Sequence, residues 1–433
     1  MGNDFKVVYA TARGEIAFDP DLTAVGAAGQ EYWELTAADL IPLPAGATLF
    51  SLPGRAPLGL SARGEMETIA EERLTAVAAI LPQGYTRLFL PAYERGPAAP
   101  ALPLFGYTAV AFKDDRLWVA ARRTDDPEKW DPRFYNTPEL PRLVREKLAR
   151  FPENRILRQL ARCAEEYQCF TAQNIFYGRW EGGIPVSPAC NARCLGCISK
   201  QAAECCPAPQ SRICFRPSAD EVVELALAHL TTEDGIISFG QGCEGEPLLA
   251  GGVIKEAITR IRQKTKAGTV NINTNASLPE VLEELAVAGL NTARVSLFSA
   301  APAFYRFYHQ PQGYSLDQVG EAISRLGRHS VFVSLNLLTM PGFTDRESQI
   351  EQLFAFLRKY PVGMVQIRNL NMDPDYFWAK LHRAKLVPEG EALGIADFLA
   401  ELHKAFPHLM IGNFSRARAM VRTPDPAPPE PAP

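Results

Sequence analysis

The stretch whose reading decides the fold is Ser187-Pro188-Ala189-Cys190-Asn191-Ala192-Arg193-Cys194-Leu195-Gly196-Cys197. It follows the run Gly182-Gly183-Ile184-Pro185-Val186, which with Ser187 reads as a strand. Three thiols in a loop at the C-terminal end of a strand can face one metal centre, and thiolates are soft ligands suited to Fe–S clusters or zinc. Three cysteines leave one iron of a cubane cluster without a protein ligand, open to an external one. A structural zinc site would need a fourth ligand, from Cys205, Cys206 or Cys214. The CxxxCxxC spacing fits the paired short spacings of zinc sites poorly.

Downstream of the triplet the chain alternates strand-like and helix-like runs. After the first strand come GIISFG, TVNINT, TARVSLF, VFVSLNLL and MVQIRNL, separated by amphipathic segments such as SADEVVELALAHL and SLDQVGEAISRLGR. That rhythm predicts a parallel sheet with right-handed crossovers, here a partial (βα)6 barrel over residues 180–412. Chemistry in such sheets sits at the C-terminal strand ends. Upstream, residues 1–135 carry the β-branched and aromatic bias of a small β-rich domain, with a hairpin turning at Lys113-Asp114-Asp115-Arg116 and a helix expected over Glu65–Ile80. Residues 136–179 read as a helical bridge, and 413–433 as a Pro-rich disordered tail, most clearly from Thr423 onward. The fold class expected is therefore α/β, a partial barrel with an N-terminal β-rich domain.

Composition narrows the function classes. The net charge is −4 with a pI near 6.0, which gives bulk electrostatics no purchase on nucleic acid or an anionic membrane. No apolar run is long enough to span a bilayer, and the N-terminus lacks the form of a secretory signal. Nine cysteines, all between Cys163 and Cys243, form no obvious disulfide framework and point to metal binding in a reducing, cytoplasmic setting. Cys163, Cys169, Cys205, Cys206, Cys214 and Cys243 leave room for an auxiliary Fe–S cluster at irregular spacing. Neither a cobalamin signature nor a P-loop is present.

The CxxxCxxC loop opening a (βα)6 pattern resembles the radical S-adenosylmethionine (SAM) superfamily, over roughly residues 180–410. The resemblance implies a [4Fe-4S] cluster on Cys190, Cys194 and Cys197, SAM bound at the open iron, and reductive cleavage of SAM to a 5′-deoxyadenosyl radical that abstracts hydrogen from an unidentified substrate. It also implies a one-electron donor such as flavodoxin or ferredoxin. The segment Gln241-Gly242-Cys243-Glu244-Gly245-Glu246-Pro247 is similar to the family's Gly-Gly-Glu-Pro element, which receives the SAM ammonium. This places Glu244, Gly245 and Glu246 at the cofactor, with Glu244 standing where the family has glycine. Asn275, foremost among the alternating Asn271, Asn273 and Asn275, is expected to contact the cofactor. So are Ser296, Asn336 and, on a polar face shared with Gln366, Arg368.

Two departures from the family stand out. Gly196 occupies the place of the usual aromatic before the third cysteine, and Gln310 that of an arginine for the SAM carboxylate, with Arg306 as a substitute. Three alternatives stay open: a maturase acting on a peptide or protein partner, a non-enzymatic Fe–S or zinc scaffold, and an RNA-modifying enzyme, which the acidic pI and the lack of a basic appended domain disfavour.

Overall fold

A computed structural model describes residues 4–69, 74–102, 106–200 and 210–422. Among these residues, thirteen short strands between Lys6 and Arg123 form one antiparallel network. One hairpin pairs Tyr107–Lys113 with Arg116–Arg123. Asp114 and Asp115 both take positive φ (49° and 55°), the two-residue turn whose twist matches that of the strands, and the expected turn falls there.

The helix expected over Glu65–Ile80 does not form. The described part holds strands Met66–Thr68 and Thr75–Ile80, and residues 70–73 lie outside the described set. Thr75–Ile80 pairs with Thr48–Ser51 on one side and Tyr107–Lys113 on the other. Ala76 to Ala79 are no more than 4% exposed. A strand covered on both faces loses its polar alternation, so its apolar run looks like a buried helix.

Three helices follow: α1 (Leu140–Arg150), α2 (Arg155–Glu165) and α3 (Phe170–Tyr177). Asn154 starts α2 by accepting the Leu157 amide at 3.0 Å, and its own amide reaches Glu224 at 2.8 Å, tying the bridge to the next helix.

That helix, α4 (Ala219–His229), belongs to the parallel sheet, whose seven strands lie side by side in chain order. They are β1 (Glu181–Gly183), β2 (Ile236–Phe239), β3 (Thr269–Thr274), β4 (Thr292–Leu297), β5 (Phe332–Thr339), β6 (Met364–Asn369) and β7 (Met410–Gly412). The crossovers are α4, α5 (Gly251–Lys264), α6 (Pro279–Ala288), α7 (Pro302–His309) with α8 (Leu316–Arg328), and α9 (Glu347–Lys359). Then α10 (Pro374–Arg383) and α11 (Ile395–Ala405) lead to β7. Such an open, sequential parallel sheet with helices outside is a partial barrel.

Three details differ from expectation. β1 is short, because Pro185 cannot donate to the ladder. A seventh strand lies beyond the six expected, β7, on which Met364, Val365 and Gln366 of β6 pair. Residues 413–422 are packed rather than part of a disordered tail: Asn413 is 4% exposed and donates to the Ile367 carbonyl at 2.5 Å. The remainder of that tail, 423–433, lies outside the described residues.

The N-terminal sheet is fastened across the C-terminal ends of β5 and β6 by two arginines. Arg55 donates to Asp373 at 3.2 Å and Asp375 at 2.8 Å, and Asp373 also accepts the Leu102 amide at 2.6 Å. Arg87 has no carboxylate partner among the described residues. Its guanidinium donates to the carbonyls of Leu370 (2.8 Å), Tyr107 (3.3 Å) and Thr339 (3.4 Å). Burial pulls its pKa down to about 9. Gly342 completes the seam: with φ at 80°, any Cβ there would lie 2.1 Å from the Gly29 nitrogen.

Candidate active site

The cysteine loop lies on the C-terminal end of α7. The Arg193 amide donates to the His309 carbonyl at 3.1 Å and the Leu195 amide to the Tyr308 carbonyl at 3.0 Å. The Gln312 amide donates to the Asn191 carbonyl at 2.8 Å. The loop after β2 is strapped to its other side: Gly245 N–H donates to the Ser187 carbonyl at 2.7 Å and Glu246 N–H to that of Ala189 at 2.8 Å. A Cβ at Gly245 would meet the Ala189 oxygen at 1.9 Å, so only glycine permits this approach.

Between these loops opens a cavity of about 370 Å³, lined by Cys190, Cys194 and Cys197 on one side and by Glu246, Asn275, Ser296, Asn336 and Arg368 on the other. Ser296, Asn336 and Gln366 stand in one row across β4, β5 and β6. The structure thus brings together the residues singled out in the sequence. Burial, with Cys197 and Cys190 nearby, raises the Cys194 thiol well above its ordinary range. Among the described residues no group of three or more His, Cys, Asp or Glu side chains closes around a single ion. The three cysteines line the cavity. Three soft donors at one wall of a cavity fit an Fe–S cluster.

The two glutamates have different duties. Glu244 is a staple: its carboxylate accepts the amides of Gly240 (2.5 Å), Val186 (2.8 Å), Ser187 (3.0 Å) and Gln241 (3.3 Å), holding β1 to the loop after β2. Those oxygens are occupied by backbone, in contrast to the ligand-facing place expected for them. Glu246 accepts from the Thr274 hydroxyl (2.5 Å) and the amides of Asn275 (2.9 Å) and Leu248 (3.1 Å), and it borders the cavity. Burial pushes Glu244 up to about 8 and Glu246 up to about 7.

Other expectations shift with the geometry. The Asn275 amide is engaged by Asn191 of the cysteine loop at 2.8 Å. Asn273 instead holds a buried Nδ2 with no hydrogen-bond partner among the described residues, at the cavity wall. Arg306 is exposed on α7 and does not face the cavity. Cys163 and Cys243 are in hydrogen-bond contact with each other, away from the triplet, and Cys205 and Cys206 lie outside the described residues.

Two residues escaped the sequence reading. Tyr308 lines the cavity, 2% exposed, stacked on Phe298 at 4.5 Å. Its hydroxyl would sit 2.7 Å from a Cβ at position 196, which explains the glycine before the third cysteine. His309 accepts the Phe298 amide on Nε2 at 3.2 Å, so Nδ1 carries the hydrogen and points at Cys194 Sγ, 3.5 Å away. Burial holds this imidazole neutral, near 3. The aromatic cluster Tyr305-Arg306-Phe307-Tyr308-His309 was the one available signal for both.

The family model described as the radical SAM superfamily matches residues 184–357. The chain is similar to molybdenum cofactor biosynthesis protein 1 of Bos taurus, 28% identical over 170 residues, covering 38% of this chain and 24% of that protein. The Homo sapiens protein of that name is 26% identical over the same length. This chain therefore spans about a quarter of the length of these curated relatives, 24%.

Among solved structures, methylornithine synthase (PylB) is similar with a TM-score of 0.38 and 16% identity, over 62% of this chain and 73% of that one. Streptococcus suis SuiB bound to its precursor peptide SuiA gives 0.36 and 14%, over 66% and 62%. The FeFe-hydrogenase maturase HydG of Carboxydothermus hydrogenoformans gives 0.36 and 16%, over 63% and 68%. Residues 184–357, with the cysteine loop at their start, carry the radical SAM domain.

Proposed function

We propose that Cys190, Cys194 and Cys197 hold a [4Fe-4S] cluster beside a SAM site formed by Gly245, Glu246, Asn273, Ser296 and Asn336, and that a substrate is activated in the space beyond. The observation that carries this reading is the strapping of the Glu246 loop to the cysteine loop, which sets a buried carboxylate and three thiols around one cavity. When bound and reduced by a donor such as flavodoxin or ferredoxin, cluster and SAM supply a 5′-deoxyadenosyl radical able to remove an unactivated hydrogen atom.

The chain's own residues do the rest. Glu246 accepts the SAM ammonium, a charge-assisted contact that also satisfies a buried acid. Tyr308 provides the aromatic surface that position 196 lacks. His309 donates Nδ1–H toward Cys194 Sγ. Phe298, Tyr308, Phe343 and Phe377 pack into one aromatic wall behind Cys194 and Leu195, keeping water from that side. Asn275 and Glu244 position the two loops. The N-terminal sheet, fastened at Thr339 and Leu370, closes part of the barrel mouth.

Anaerobic reconstitution with iron and sulfide, reduction and addition of SAM tests this. The expected product is 5′-deoxyadenosine, detected by mass spectrometry and lost when Cys190, Cys194 and Cys197 are changed to Ala. A cluster-loaded protein that neither binds nor cleaves SAM would overturn it.

A further inference from the structure

Beyond the cysteine cavity lies a second one of about 680 Å³, within the range of small-molecule sites. The two share Arg294, Arg368, Gln241 and Asn371 in their walls, so the chambers meet there. The far wall of the second chamber carries Phe170, Trp130 and Phe414.

The charges at this junction do not balance. Glu181 is the carboxylate lining the second chamber, and its Oε1 already accepts from Ser238 (2.6 Å), Gln241 (3.1 Å) and Ser415 (3.1 Å). Arg294, on the inward face of β4, reaches only the Gln366 side-chain oxygen, at 3.5 Å, among the described residues. Arg368 uses one nitrogen on Asn413, at 2.9 Å to the carbonyl and 3.1 Å to Oδ1. Neither guanidinium has an ion pair among the described residues. Both are partly exposed, and the space they border is the pair of chambers. A guanidinium kept out of bulk water, with most of its donor fork unused, is costly unless something arrives to pair with it. Burial lowers the pKa of both; at Arg368 the neighbouring Arg294 lowers it further, and the Glu181 carboxylate offsets part of this at each.

We infer that Arg294 and Arg368 form an oxyanion site for the substrate, which is a small molecule carrying a carboxylate or phosphate, with its apolar part toward Phe170 and Trp130. The bidentate fork of arginine matches either oxyanion. Placement at the junction leaves the remainder of the molecule free to reach the cysteine cavity. This inference rests on the proposed function for calling the ligand a substrate.

The test uses the reconstituted, SAM-loaded protein and three probes: inorganic phosphate, glutarate and the neutral glutaramide. Thermal melting of the wild type rises by about 1–2 °C with phosphate or glutarate at tenfold above half-saturation, and does not move with glutaramide. Arg294→Met loses the anion response and keeps its SAM affinity. Its ligand-free melting temperature stays level or rises, because an unpaired cation is gone. Arg294→Lys keeps charge and bulk but loses the fork, and binds the anions about tenfold more weakly.

A wild type indifferent to both anions would overturn the site. So would an Arg294→Met or Arg294→Lys protein that responds like the wild type, or an Arg294→Met protein that loses SAM affinity together with the anion response. The two readings fail separately. Absence of 5′-deoxyadenosine with the anion response intact removes the catalytic proposal, and the reverse removes the oxyanion site.

Discussion

Arg55 and Arg87 leave the N-terminal sheet and end among oxygens at the barrel rim, while Arg294 and Arg368 end in the barrel's own chambers. The first pair is no more than 1% exposed, and, the two buried Nε atoms apart, its donors are directed at Asp373, Asp375 and the carbonyls of Thr339 and Leu370. The second pair is partly exposed, with donors left over. The same side chain thus serves as a fastener in one place and as an open socket in the other. What separates the two is whether the fold itself brings the acceptors. Residues committed to stability have their partners built in, and residues kept for a ligand do not.

The largest effect comes from breaking the fastener. Arg55→Met leaves Asp373 as a buried charge facing only amides, and destabilises the protein by about 3–5 kcal/mol. Urea unfolding followed by circular dichroism measures this, and a loss below 1 kcal/mol, on the order of a surface pair, would erase the contrast with Arg294.

The contrast extends to acids. Asp373 has its arginine, whereas Asp345 is fully buried, accepts the Gly342 amide at 2.7 Å and leaves Oδ2 without a hydrogen-bond partner among the described residues. Burial pushes its carboxyl up to about 6. The unfolded chain releases that proton near 3.9, so the folded state holds it more tightly. This contribution to stability is full below about pH 4 and is lost as the pH rises through 6, about 2–3 kcal/mol in all. Asp345→Asn flattens that part of the stability–pH curve. An unchanged slope between pH 4 and 7 in the variant would place the titration elsewhere.

Smaller effects sharpen the cysteine cavity. Tyr308→Ala weakens SAM binding about tenfold if the ring packs on the nucleoside. Adding Gly196→Tyr to that variant restores much of the loss, because the two side chains compete for one space. No recovery in the double variant would mean that Tyr308 acts only as packing. The smallest shift is electrochemical. His309→Phe removes an N–H aimed at Cys194 Sγ and moves the cluster potential to a more negative value. A potential equal to the wild type's in redox titration would show that this contact has no influence on the cluster.

The parallel sheet was legible because each strand from Ile236 to Asn369 alternates with an amphipathic helix at short spacing. The triplet was legible because its three cysteines are local. Met410–Gly412 was not, since three residues carry no period. The apolar run at Thr75–Ile80 misled for the opposite reason, since successive residues Ala76 to Ala79, which point to alternate faces, are all buried. The site residues that escaped depend on distant chain. Gly196 is explained by Tyr308, the role of Glu244 by amides at Val186 and Ser187, and the openness of Arg294 by what Glu181 already binds. Nor could the sequence pair Arg55 with Asp373, which lies 318 residues away.

The most direct test of the central claim is the electron paramagnetic resonance spectrum of the reduced, reconstituted protein before and after SAM. The account predicts one [4Fe-4S] signal that changes when SAM is added, because an iron without a cysteine is open to it, and that disappears when Cys190, Cys194 and Cys197 are changed to Ala. A signal unmoved by SAM, or one that survives loss of the three cysteines, would contradict it.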